Sequence, residues 1–269
     1  MKRLSTLSLD RLPLLSCILT DIDDTLTRDG KLLPEAYDSL WRLKEAGFRV
    51  IPVTGRPAGW CDMIIRQWPV DAVVGENGAF VYYNDMYEGD VSSKGPYKIF
   101  LHPSAAAEDV GGRLREVEEE VLRQVPGVRR AKDQPFRIYD LAIDFREDEP
   151  RFGLDTAERV VEVSRRRGAK ARISSIHVNI WFGAYDKLAM SLLFLKEKRG
   201  IERNEAKERV LFCGDSPNDE PMFAYFPLSC GVANVKEYLP LMSHPPAFVC
   251  EKSSGEGFAE LADYLLRRE

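Results

Sequence analysis

A chain of 269 residues, 44% hydrophobic and 30% charged, can bury a sizeable core in one large domain or two modest ones. Its net charge of −5 argues against a general nucleic-acid binder, which needs a basic surface, and no apolar run approaches the length of a membrane span. The five cysteines (Cys17, Cys61, Cys213, Cys230 and Cys250) are odd in number and scattered, with no C-x-x-C pair, so reduced thiols in a cytoplasmic protein are expected.

Asp10 and Arg11 interrupt the basic start, MKRLSTLSLDRLPLLSC, before a signal-peptide core forms. Short apolar runs without alternation then recur: SCILT (16–20), RVIPVT (49–54), DAVVG (71–75), RVLFCG (209–214), LSCGV (228–232) and AFVC (247–250). Strands covered on both faces of a parallel sheet have this pattern. Between the first two, LPEAYDSLWRLKEAG predicts a helix, with Pro34 in its first turn and Gly47 just past its end. Asn77-Gly78 is a hairpin turn signal.

The middle of the chain changes character. A polar passage, NDMYEGDVSSKGPYK, leads to a strand-like KIFLH, a helix across roughly 105–124 and a long strand, FRIYDLAIDF (136–145). A helix near 152–167 follows, then two strand-like runs, KARIS and IHVNIWF, the last alternating as a half-exposed antiparallel strand does. DKLAMSLLFLKEKRG (186–200) is another helix, with basic residues in its last turn and Gly200 as its stop. The expected fold class is α/β: a doubly wound, Rossmann-like parallel-sheet core from 1–84 and 186–269, interrupted by an inserted α+β domain at 85–185.

Three core strands run into polar clusters. CILT meets Asp21-Ile22-Asp23-Asp24-Thr25, VIPVT ends on Thr54-Gly55-Arg56, and VLFCG meets Asp215-Ser216-Pro217-Asn218-Asp219. Ligands of open α/β sheets bind outside the carboxyl ends of the strands, so a shared site is expected at that edge. The crowded aspartates repel one another unless a cation offsets them. Asp21, Asp23, Asp215 and Asp219 offer hard oxygen ligands that suit Mg2+. Thr54, the Gly55 N–H, Asn218 and a lysine such as Lys187 are phosphate-binding types, and the set describes phosphoryl transfer. Arg56 stands beside them, as a substrate contact or as a structural ion pair.

DIDDT, VTGR, Lys187 and GDSPND together resemble the four ordered motifs of the haloacid dehalogenase superfamily. VVGENGAFVYY resembles the strand–turn–strand of its metal-dependent phosphatases that carry a large α/β cap between the second and third motifs. The resemblance spans the chain apart from about its first fifteen residues. It implies that Asp21 is the nucleophile and a Mg2+ ligand. It makes Asp23 the general acid and then the base, its backbone carbonyl also meeting the metal. Thr54 and Lys187 would hold the phosphoryl oxygens, Asp215 would bind the metal directly, Asp219 directly or through water, and Asn218 would orient the phosphate. The chain departs from the commonest pattern at Asp24 and Leu188, where glycine is frequent.

The cap is expected to close over the phosphate and read the rest of the substrate. His177 and Asn179 share a strand face with Ser175 by alternation and are candidate substrate contacts, with Arg137, Lys170 and Arg172 nearby. The resulting expectation is a Mg2+-dependent phosphomonoesterase acting on a small phosphorylated metabolite, a sugar phosphate or a phospho-organic acid, with neither nucleic acid nor membrane as partner. A phosphotransferase or mutase using the same aspartyl-phosphate is the alternative, and a non-catalytic regulatory protein on the same fold is a further one.

Overall fold

The computed structural model describes residues 1–8, 12–84, 97–105 and 110–267. In it the chain opens with β1 (Lys2–Arg3) and β2 (Cys17–Thr20), then a small antiparallel hairpin of β3 (Thr27–Arg28) and β4 (Lys31–Leu32). Helix α1 (Pro34–Glu45), β5 (Arg49–Pro52) and α2 (Ala58–Gln67) follow. A second hairpin, β6 (Ala72–Gly75) and β7 (Phe80–Tyr83), is extended antiparallel by β8 (Lys98–Leu101). The inserted region holds α3 (Val110–Gln124), β9 (Arg129–Arg130), β10 (Leu141–Asp144), α4 (Leu154–Arg166), β11 (Lys170–Ile173) and β12 (His177–Trp181). The chain then returns to the core with α5 (Lys187–Arg199), α6 (Ala206–Arg209), β13 (Val210–Gly214), α7 (Glu220–Tyr225), β14 (Ser229–Gly231), β15 (Phe248–Val249) and α8 (Ser254–Leu265).

The main sheet has the order β1-β15-β14-β13-β2-β5, with every neighbouring pair parallel. Its strands lack alternation because both faces are covered. Ile18, Val50 and Leu211 pack under α1, α2 and α8 with Leu40, Ile64 and Phe258. Their sequence neighbours Leu19, Ile51 and Phe212 point the other way, onto Met190 and Phe194 of α5 and Met222 of α7. The doubly wound core expected from the sequence is therefore present.

In the cap the sheet order is β11-β12-β10-β9, with all pairs antiparallel. Helices α3 and α4 cover one face, where Val117, Val121 and Val160 meet Ile143, Val178 and Ile180. The alternate residues of β12, His177 and Asn179, therefore turn to the other face, toward the core.

Several expected elements differ in detail. DAVVG is a strand, but it heads the β6-β7-β8 sheet and joins the edge of the main sheet through the Asp71 N–H on the Val50 carbonyl (3.0 Å) and a bridge between Val53 and Val74. KIFLH, which opens the expected insertion, pairs with β7, while the cap sheet itself is built from residues 129–181. The long strand 136–145 is only four residues, Leu141–Asp144. Ahead of it Gln134–Phe136 forms a 3-10 turn around Pro135, and the N–H groups of Ile138, Tyr139 and Asp140 go to the Glu76 carboxylate instead of a sheet ladder. Residues 85–96 of the polar passage and residues 106–109 of the expected 105–124 helix lie outside the described residues. Among the described residues, no helix is long and apolar enough to cross a membrane.

Candidate active site

β2, β5 and β13 lie side by side, so the polar clusters that follow them meet at one sheet edge. Asp21 leaves β2 with its N–H on the Cys213 carbonyl (2.9 Å), which locks the first cluster against the third. Ser216 and Asp219 form a reciprocal capping box, and the Asp219 Oδ2 atom accepts the N–H groups of Asp215 (3.0 Å) and Ser216 (3.3 Å). Asn218 is held by the Ser216 hydroxyl, which donates to its Oδ1 at 2.8 Å.

Lys187 begins α5, where a cation opposes the helix dipole. Two carboxylates offset that cost. Its Nζ donates to Asp21 Oδ1 and to Asp219 Oδ1, both at 2.7 Å, with all three residues buried. Burial alone would lower the lysine pKa, yet Asp21 and Asp219 hold it above its ordinary value. Asp215 faces Asp21 and Asp219, and single ligand atoms of these three carboxylates lie within 4.8 Å of one another. Burial first, and then its carboxylate neighbours against Lys187, push Asp21 up to about 7. Asp215 is raised well above its ordinary value by burial and by Asp21 and Asp219. Three buried carboxylates against one ammonium leave a deficit of positive charge among hard oxygen donors. That donor set fits a hard divalent cation. Thr25 and Asn234 orient the Asp215 oxygens, donating at 3.0 and 3.2 Å. Asn234 also ties down the backbone carbonyl of Asp24 at 3.0 Å. Asp24 stands at φ 55, a conformation that aspartate tolerates better than most residues.

Thr54 is buried, and its hydroxyl oxygen accepts the Arg56 N–H at 3.0 Å. The Gly55 carbonyl accepts from Arg137 Nη1 at 2.8 Å and from Asn179 Nδ2 at 3.4 Å, so the cap grips the loop after β5. A Cβ on Gly55 would stand 2.9 Å from Asn179 Oδ1. Arg56 is 1% exposed. It bonds both Asp23 oxygens at 2.9 Å and reaches two cap carboxylates, Asp133 (3.3 Å) and Glu147 (2.8 Å). His177 touches Glu147 at 2.9 Å and reaches Arg56 through it. Burial would raise the Glu147 carboxyl, but His177 and Arg56 hold it down at about 2.

Asp23, Asp24 and Arg56 border a cavity of about 580 Å³, with Trp60 on one side and Arg146, Ser175 and Tyr238 on others. That volume suits a small-molecule ligand. Asp21, Thr54, Lys187, Asp215, Asn218 and Asp219 thus gather at the sheet edge, and Asp23 and Arg56 face the cavity. Gly55 and Asn179 meet at the seam between core and cap, and His177 stands behind Glu147.

Sequence reasoning missed Asp133, Glu147, Asn234 and Glu76. The Glu76 carboxylate accepts the Ala58 N–H (3.0 Å) together with the three cap N–H groups, pinning cap to core. Glu147 lies in the charged run FREDEP, which looks like a solvated turn until Arg56 is placed opposite it.

A model of the haloacid dehalogenase-like hydrolases matches residues 18–96. A phosphoglycolate phosphatase from Methanothrix thermoacetophila is 24% identical over 254 residues, 94% of this chain and 97% of that protein. Protein 0175 of Thermoplasma acidophilum superposes with a TM-score of 0.67 at 22% identity, covering 94% of this chain and 99% of the other. The Synechocystis sucrose-phosphatase, solved with sucrose and phosphate, gives 0.60 at 15% identity, covering 93% and 97%. Both solved structures share the fold across core and cap. With its four motif clusters joined at one sheet edge under an inserted α+β cap, the chain is similar to the haloacid dehalogenase-like hydrolases in the matched stretch and shares the fold of these capped structures.

Proposed function

We propose that the protein is a Mg2+-dependent phosphomonoesterase that hydrolyses a small phosphorylated metabolite, a sugar phosphate or a phospho-organic acid, through an aspartyl-phosphate on Asp21. The observation that carries this is the Asp21 carboxylate, paired with Lys187 inside a buried acidic cluster, with a second carboxylate two residues on facing a ligand-sized cavity. The matched relatives act on phosphoglycolate and on sucrose phosphate by their names, which supports the substrate class.

An Asp21 oxygen attacks phosphorus while the ester bond to the leaving oxygen breaks, and Asp23 gives that oxygen its proton. Asp23 then takes a proton from water, whose oxygen attacks phosphorus as the Asp21–phosphorus bond breaks. Lys187 offsets charge on Asp21 and on the phosphoryl group. Thr54, the Gly55 N–H and Asn218 hold the remaining phosphoryl oxygens. Asp21, Asp215, Asp219 and the Asp23 backbone carbonyl would hold Mg2+, which when bound neutralises developing charge on the phosphoryl oxygens. Five cysteines, all buried and free, fit a reducing compartment, and a cytoplasmic location is part of the proposal.

The test is phosphate release from a panel of phosphorylated metabolites with and without Mg2+. Mg2+-dependent release is expected, with one ester far above the rest. Phosphoryl transfer to an added alcohol in place of release would favour the phosphotransferase alternative. No turnover of any ester would sink both.

A second outcome is independent of turnover. The Asp21 carboxyl titrates near 7 in the folded chain against an ordinary 3.8, and Glu76, raised by burial and Asp140, also titrates near 7. Between those values the folded state holds protons that the unfolded chain has lost, so stability falls as pH rises through the window. Glu147, held at about 2, contributes stability already complete above its ordinary 4.5. Metal-free protein should therefore melt lower at about pH 7.5 than at about pH 5.5. Mg2+ should narrow that gap, because it binds only the folded site. A gap unmoved by Mg2+ in differential scanning fluorimetry would count against the metal site.

A further inference from the structure

All three guanidinium nitrogens of Arg56 are engaged, although its side chain borders the cavity. Its guanidinium is planar, a fork whose N–H groups cannot move independently. Nε and Nη2 bond Asp23, Nη2 also bonds Glu147 at 2.8 Å, and Nη1 bonds Asp133 at 3.3 Å. Trp60 lies 4.2 Å from the guanidinium carbon, against its ring face. The backbone is pinned as well, with its N–H on Thr54 Oγ1 (3.0 Å) and its carbonyl accepting from Glu76 N–H (3.1 Å). One guanidinium therefore joins a core carboxylate that borders the cavity to two carboxylates of the cap. His177 anchors Glu147 from behind.

We propose that Arg56 is a positioning residue through which the docked cap sets the orientation of Asp23. This rests on the phosphatase reading, in which Asp23 handles the leaving-group proton. With Asp133 and Glu147 in place, the fork is held at its far end and Asp23 has one position. With the cap carboxylates withdrawn, the fork keeps only Asp23 and Trp60 and can turn, carrying Asp23 with it. Proton transfer to the leaving oxygen would then depend on cap closure, which couples the acid–base step to the presence of a substrate under the cap.

Glu147→Gln tests this without emptying space. Turnover is measured on p-nitrophenyl phosphate, whose leaving phenolate needs little protonation, and on glycerol 2-phosphate, whose alkoxide needs a proton. The ratio of kcat on glycerol 2-phosphate to kcat on p-nitrophenyl phosphate should fall about tenfold or more, within the usual worth of general acid catalysis. KM should change much less. Arg56→Lys, which keeps the charge but loses the fork, should lower the same ratio. Hydrogen exchange across Thr54–Trp60 should quicken in Glu147→Gln at unchanged circular dichroism.

An equal fall on both esters, or no fall, would overturn the role in proton transfer. Unchanged exchange would overturn the mechanical link. Wild-type turnover of neither ester would overturn the phosphatase reading and the proton-transfer role with it, and exchange alone would then decide the link.

Discussion

Asp21→Asn should lower turnover by about 10⁴-fold or more, the scale on which removal of a catalytic nucleophile is felt. Asparagine keeps the shape of the side chain and can still accept from Lys187 Nζ, now 2.7 Å from Asp21 Oδ1, but its amide oxygen is a poor nucleophile toward phosphorus. Stability should move the other way. An Asp21 carboxyl pushed up to about 7 is one whose ionised form the site disfavours, despite Lys187. The neutral amide relieves repulsion among Asp21, Asp215 and Asp219, so the metal-free variant should melt no lower than wild type at neutral pH. Mg2+ should raise its melting point less than it raises that of wild type. Phosphate release and scanning fluorimetry on the same preparation read both effects. Wild-type turnover in Asp21→Asn would remove the aspartyl-phosphate mechanism, while lost turnover with a large drop in melting point would mean that Asp21 mainly holds the fold.

The core was legible because its signals are local. CILT, VIPV and VLFCG each combine an apolar run with a polar end, and parallel strands necessarily carry such ends to one edge. The lysine opening α5 could be read the same way, from an unfavourable place in a helix whose cost Asp21 and Asp219 offset. The seam between core and cap was not legible. Arg56 and Glu147 are 91 residues apart, and nothing in FREDEP marks Glu147 as a partner for a buried guanidinium. FRIYDLAIDF has strand composition throughout, yet Ile138, Tyr139 and Asp140 give their N–H groups to a glutamate 62 to 64 residues earlier. Tertiary hydrogen bonding overrode local propensity there. Alternation placed His177 and Asn179 on one face, but only the packing of Val178 and Ile180 under the cap helices decides which way that face looks.

Gly78→Ala should destabilise the protein by about 3 kcal/mol or more, from backbone strain and a forced contact together. Gly78 has φ 104, beyond the left-handed region that even asparagine uses readily. A Cβ there would stand 2.2 Å from the carbonyl oxygen of Asp186. That neighbour is backbone and cannot swing aside as a side-chain end would. Asp186 caps α5, its Oδ1 accepting the Ala189 N–H at 2.7 Å and its carbonyl accepting the Met190 N–H at 3.1 Å. The next residue is Lys187, whose ammonium has two 2.7 Å bonds and no slack. Pushing Asp186 therefore moves the start of α5 and with it the cation that serves Asp21. Gly47→Ala is the matched control, at φ 85 with nothing within 4 Å of the added Cβ and away from the cavity. It should cost only about 1 kcal/mol of backbone strain. Thermal melting should fall by about 6 °C or more in Gly78→Ala and by about 3 °C in Gly47→Ala. Turnover per folded molecule should drop about tenfold or more in the first, since small misplacements of a catalytic group cost that much, and should hold steady in the second. Equal losses in the two variants would mean that the turn before β7 does not carry the position of Lys187. A stability loss confined to Gly78→Ala, with turnover kept, would mean that α5 yields without moving the ammonium.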